Sequence, residues 1–141
     1  MRRDVLRPGL LAGVGLAMTV DEVVFHQLLG WHHLVEESPL SSDGLLHVAG
    51  TVALLVGTVQ LVLRWPWDRR RVAGAVLAGA GGFNVFDGIV DHKVLRLHQV
   101  REGVENTLPY DITWIVVSAL VLLAGLLLLR GTQERQPARR G

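Results

Sequence analysis

The sequence predicts an all-α, integral membrane four-helix bundle made of two repeated helical hairpins. Three observations carry that expectation. Half of the 141 residues are hydrophobic, enough to fill four bilayer spans of ~20 residues each. Mean hydropathy is +0.36, and the charges fall in short runs between long uncharged stretches. Asp, His and Gly residues also recur at a nearly fixed offset in the two halves of the chain. The same composition excludes other classes. Such apolar blocks are foreign to a disordered chain. The absence of cysteine removes a disulfide scaffold, a thiol nucleophile and a Cys-type zinc or iron–sulfur site. A net charge of +1 leaves no electrostatic footprint for nucleic acid.

Taken in order, the apolar segments are residues 9–29, 45–63, 72–90 and 112–129. Each is long enough as a helix to cross a hydrocarbon core of ~30 Å. None alternates with period two, so a membrane barrel is excluded. The first segment follows Arg2, Arg3 and Arg7 in the manner of a signal peptide. No small-residue cleavage site follows it, however, and Asp21 and Glu22 interrupt its end, so it is expected to remain as a helix. Residues 35–43 are acidic and supply residues that end one helix and cap the next. Residues 64–71 are strongly basic, with Trp65 and Trp67 suited to a headgroup interface. Residues 101–109 are mixed, and residues 130–141 read as a flexible basic tail carrying Arg135, Arg139 and Arg140. The positive-inside rule then places both termini and the middle connection in the cytoplasm. Residues 1–141 are expected to form a single multi-pass domain in a cell's inner (plasma) membrane, in contact with the lipid bilayer.

Sliding the chain by 66 residues lays 9–33 on 75–99 and matches Asp21 with Asp87, His26 with His92 and His32 with His98, although the chain has only six histidines. At an offset of 68, Asp43 falls on Asp111 and Gly57 on Gly125. Repeat one is expected at about 9–63 and repeat two at about 75–129, related by an axis along the membrane normal. Gly74, Ala78 and Gly82, spaced by four, predict a close helix approach. The runs Gly13-Val14-Gly15 and Gly79-Ala80-Gly81-Gly82 resemble pieces of a dinucleotide fingerprint, but no strand precedes them and packing explains them.

The unusual chemistry is concentrated in one layer. Counting from the flanking arginines puts Asp21, His26, His47, Asp87, His92 and Asp111 at depths of ~21 to ~32 Å, in the outer half of the bilayer. His32, His33 and His98 are expected further out, near or beyond the interface. At ~100° per residue, Asp21, Phe25 and His32 share one helix face and Glu22, His26 and His33 the next; Asp87, Asp91 and His98 repeat the first pattern, with His92 on the other face. That polar sector should face inward, because an ionisable group in lipid costs ~3 kcal/mol or more. Glu22 and Asp43 each precede a histidine, His26 and His47, by one turn, close enough for joint ligation or a supporting hydrogen bond. A single His–Asp pair is ordinarily a self-satisfied core contact. This many histidines and carboxylates in one layer point instead to a metal centre. The expected ligands are His26, His47, His92, Asp21, Glu22, Asp43, Asp87, Asp91 and Asp111, with His32 and His98 outermost. Imidazole and carboxylate from facing helices suit Zn, Fe, Mn or Cu(II), and imidazole suits haem. Ile115 stands where the first hairpin has His47, so the site is expected to be asymmetric and to lean on His47. Lys93, the only lysine, has two readings, neutralising a neighbouring carboxylate or snorkelling outward, and the second is the expectation. Ser118 and Thr58 lack His–Asp companions, so nucleophilic hydrolysis has no support, and whether the protein is an enzyme stays open.

Asp21 with His26-Gln27 and Trp31-His32-His33, Asp43-Gly44-Leu45-Leu46-His47, and Phe83-Asn84-Val85-Phe86-Asp87-Gly88-Ile89-Val90-Asp91-His92 followed by His98 together resemble a bacterial four-span family. This is the predicted membrane protein family numbered 2243 among domains of unknown function, and the resemblance runs from Gly9 to Leu129. It implies the fold and the membrane location but no particular activity. Members usually carry glycine at position 22, glutamate at 87 and histidine at 93 and 99, where this chain has Glu22, Asp87, Lys93 and Gln99. Those departures bear against a fully matched pair of His-His motifs. An association of such proteins with cytochrome oxidase assembly implies copper or haem, and respiratory-complex assembly partners. The residues themselves favour redox chemistry or metal handling. The alternatives are a small proton-relay or transport protein, as a homo-oligomer, and a structural partner of a larger complex. A through-path is disfavoured because the inner half offers only Thr58 and Gln60 as relay groups.

Overall fold

The computed structural model describes residues 4–35, 38–95 and 99–133. Regular structure among them is entirely helical: α1 (Leu6–Asp21), α2 (Pro39–Val62), α3 (Arg69–Phe86) and α4 (Leu108–Gln133). Both α1 and α3 run on into a wider π-helical turn, Glu22–Leu28 and Asp87–Val94. With those turns included, four helices are long and apolar enough to cross a membrane, at Leu6–Leu28, Pro39–Val62, Arg69–Val94 and Leu108–Thr132. The chain is therefore an all-helical, multi-pass membrane protein in contact with lipid. Helix α4 extends to Gln133, beyond the expected start of the tail, and residues 134–141 lie outside the described part.

Helix starts follow local chemistry. Pro39 opens α2, where its missing N–H costs nothing. Asp68 caps α3, its carboxylate accepting from the amides of Arg70 at 2.8 Å and Arg71 at 3.3 Å. Near this end of the bundle Trp67 donates its indole N–H to the Leu61 carbonyl and packs against the Val5, Ala12 and Leu61 cluster.

Helices α1 and α3 form the centre, α2 packs on α1 and α4 on α3, and α2 and α4 do not touch among the described residues. In lipid no hydrophobic force pulls helices together, so close van der Waals contact between small residues has to do so. The central seam meets that need. A Cβ added at Gly13 would overlap the Val76 carbonyl, and one added at Gly79 would overlap the Leu10 carbonyl. Within the hairpins, Gly57 lies on Ala12 as Gly125 lies on Ala78, and Gly15 lies on Leu54 as Gly81 lies on Leu122. The opposite faces of α2 and α4 carry exposed Val52, Leu55, Val59, Leu120, Leu123 and Leu127, suited to acyl chains.

Because the backbones touch at the seam, Gly13→Ala and Gly79→Ala should each destabilise the bundle by about 1–3 kcal/mol. Gly44→Ala, with nothing within 4 Å of its added methyl, should leave stability unchanged. Denaturant unfolding of the three variants in one detergent measures the contrast.

Candidate metal centre

The π-helical turns decide which side chains meet. On a regular α-helix, residues five apart point about 140° away from each other. A π-helix, hydrogen-bonded from i to i+5, brings them onto one side. His26 Nε2 accordingly sits 3.4 Å from Asp21 Oδ2, and His92 Nε2 sits 3.4 Å from Asp87 Oδ2. The expected division of Asp21 and His26 between two faces is thus corrected, since it assumed α-helical geometry throughout. The same wide turn lets Gln27 donate to Glu22 Oε1 at 2.8 Å.

His26, only 3% exposed, is ringed by carboxylates. Its Nδ1 lies 3.2 Å from Glu22 Oε2 and 3.1 Å from Asp43 Oδ1. Asp43 is fixed from the other side, where Leu34 N donates to Oδ1 at 2.9 Å and His33 Nδ1 pairs with Oδ2 at 2.6 Å.

His32 and His33 do not continue the helix. The chain reverses at Gly30, whose φ of +57° is readily open to glycine, and the reversal carries His32 back against His26, ring centroids 4.6 Å apart. His32 is buried within the protein, beyond the end of the first span at Leu28. Its Nδ1 lies 2.8 Å from the Val100 carbonyl. A carbonyl only accepts, so Nδ1 holds the proton and Nε2 keeps its lone pair toward Asp21 Oδ1, 3.9 Å away. Burial pushes the His32 pKa below the ordinary histidine value, which favours the neutral ring that a ligand needs.

Two three-residue groups result. Asp21, His26 and His32 can each present a donor atom within 4.8 Å of the others, and so can Glu22, His26 and Asp43. Five of the expected ligands are therefore together. Asp87 and His92 adjoin this cluster, with the His92 ring 6.0 Å from that of His32. His47 does not join: it is exposed and lines a cavity of about 740 Å³ shared with Glu22, His26, His33 and Asp43. Of the two histidines, His26 is common to both three-residue groups, whereas the expectation leaned on His47. Asp91 is half-buried beyond Asp87 and belongs to neither group. Asp111 is buried and paired with Lys93, so the lysine takes the carboxylate-neutralising role rather than the snorkelling one, and Asp111 stands outside both groups. His98 lies outside the described residues.

The second hairpin is filled where the first is open. Gly88 stands at the position equivalent to Glu22, and a Cβ there would come 2.8 Å from Trp114 Cδ1. The Trp114 indole donates to the Asn84 carbonyl at 3.2 Å. Above the cluster, the Arg101 guanidinium lies 5.3 Å from the Trp31 ring centroid and 5.1 Å from that of Tyr110, and it donates to the Tyr110 hydroxyl at 2.7 Å. The aromatic and arginine cover, the His33–Asp43 pairing and the inward turn of His32 went unread in the sequence. Gly30 after the last apolar turn was the available signal, since a glycine there ends helices by reversing the chain.

Four spanning helices with a buried histidine–carboxylate cluster at the end away from the 63–68 connection define a multi-pass membrane protein with a polar centre. The family model for the predicted membrane protein family DUF2243 matches residues 8–132, and the chain belongs to that family. No curated protein and no solved structure matches it.

The Lys93–Asp111 pair makes its own test. Lys93→Met strands a buried carboxylate and should destabilise the protein by about 1–3 kcal/mol, less than for a fully buried pair because the ammonium is half-exposed. Adding Asp111→Asn should recover most of that loss in the same unfolding measurement.

Proposed function

We propose that the protein binds a transition metal ion through Asp21, His26 and His32, with Glu22 and Asp43 beside it, for redox chemistry or metal handling. The supporting observation is the pair of ligand groups centred on His26. Two imidazoles and one carboxylate are a donor set used for Fe(II) and Zn(II), and the imidazoles also accept Cu(II). Charge supports the reading as well. Asp21, Glu22, Asp43 and Asp87 are all buried in a segment suited to hydrocarbon, while the single lysine is engaged by Asp111. A divalent cation offsets carboxylates that lipid otherwise disfavours. Rings packed 4.6 Å and 6.0 Å apart leave little width between them for a porphyrin, which favours a bare ion over haem. The arginines within residues 64–71 support a plasma-membrane orientation with both termini in the cytoplasm, and the centre then faces the outer side.

Protein purified in mild detergent without a metal-affinity step should carry Fe, Zn or Cu by elemental analysis. His26→Ala and His32→Ala should each lower metal affinity 10- to 100-fold or more, and His47→Ala should lower it far less. Metal should be released as the solution is acidified and the imidazoles protonate, with the melting temperature falling alongside. Absence of co-purified metal, together with a melting temperature indifferent to chelator and to added Fe(II), Zn(II) or Cu(II), would overturn the reading.

A further inference from the structure

The two ligand groups have one residue in common, His26, and they meet it on different ring atoms. Nε2 faces Asp21, and Nδ1 faces Glu22 and Asp43. Resting on the metal-binding reading above, we infer that His26 bridges two metal ions: one ion held by Nε2 with Asp21 and His32, the other held by Nδ1 with Glu22 and Asp43.

The carboxylates around the ring are only partly met by their own neighbours. Glu22 Oε1 accepts from Gln27, while Oε2 is buried beside His26 without a hydrogen-bond partner among the described residues. Asp43 Oδ2 is taken by His33, and Oδ1 accepts from Leu34 N while lying 3.1 Å from His26 Nδ1. On the far side, Asp21 Oδ2 lies 3.4 Å from His26 Nε2, and Oδ1, buried without a hydrogen-bond partner among the described residues, lies 3.9 Å from His32 Nε2. A neutral imidazole has a single N–H to offer, too few for three carboxylates on two edges. Two cations supply what that proton cannot. As the second ion binds, the ring gives up its remaining proton to solvent and each nitrogen donates a lone pair to one ion.

The two positions differ in access. Glu22, His26 and Asp43 line the cavity with His47 on its rim, whereas Asp21 and His32 are buried on the side covered by Trp31 and Arg101. The Asp21 position therefore retains its ion, and the Glu22 position exchanges its ion through the cavity.

The test uses the full chain in mild detergent, stripped by chelator and then titrated with Zn(II) and separately with Cu(II). Wild type should take up two Zn(II) per chain, with the second released by chelator at least tenfold faster. Glu22→Gln should bind one slowly exchanging ion, Asp21→Asn one rapidly exchanging ion, and His26→Ala neither tightly. Doubly Cu(II)-loaded wild type should lose most of its electron paramagnetic resonance intensity at low temperature, because an imidazolate bridge pairs the spins. Glu22→Gln should regain the full signal of one ion. A wild-type stoichiometry of one, or two Cu(II) ions with full uncoupled intensity, overturns the bridge while leaving the single-ion reading intact. A stoichiometry of zero overturns both, and since these readouts are made on wild type, a misfolded variant does not decide the matter.

Discussion

A carboxylate placed within a hydrocarbon layer must be met there by a proton, a cation or a ring N–H, and most of the architecture at this end of the bundle follows from that demand. Asp21, Glu22, Asp43, Asp87 and Asp111 are all buried. Lys93 answers Asp111, and histidines answer the others. The two wide turns and the reversal at Gly30 bring histidines and a glutamine to the carboxylates. Removing any one of these leaves a charge for which lipid offers no substitute.

The two hairpins meet this demand differently. In the first, Glu22, Asp43 and Gln27 keep a polar space open around His26. In the second, glycine replaces the glutamate, tryptophan occupies the space, and the lysine engages the aspartate. A tryptophan in that slot gives dense packing and one satisfied indole hydrogen bond, which suits a structural support better than a binding site. The asymmetry foreseen from Ile115 and His47 is thus present, but it is set by Glu22 against Gly88 and by Leu46 against Trp114.

How much was legible in the sequence depended on the range of the interaction. The four spans were readable because bilayer crossing is a property of composition over ~20 residues. Counting rise along the helices put Asp21 near His26 and Asp87 near His92 in level, and each pair lies together. Angular position was not readable, because a single extra residue per turn rotates everything beyond it. Asp21 and His26 look divergent at 100° per residue and meet in the π-helical turn. His32 and His33 were misplaced because a helix was extended past Gly30, where the backbone turns back on itself. Which carboxylate Lys93 would meet was not legible, because its partner lies 18 residues away on α4 and no local pattern announces a contact between neighbouring helices.

The seam between α1 and α3 carries a consequence of a different kind. Gly13 rests on Val76 and Gly79 on Leu10, and these are matching positions of the two hairpins, so each half presents to the other the surface it receives. That is the self-complementary contact of a twofold dimer, here closed within one chain. The residues joining α2 to α3 then serve chiefly as a tether, raising the local concentration of one half near the other. A chain severed in that connection would have two fragments that still recognise each other along the glycine seam. They would meet as partners in a heterodimer, one bringing most of the histidine–carboxylate cluster and the other the tryptophan-filled support.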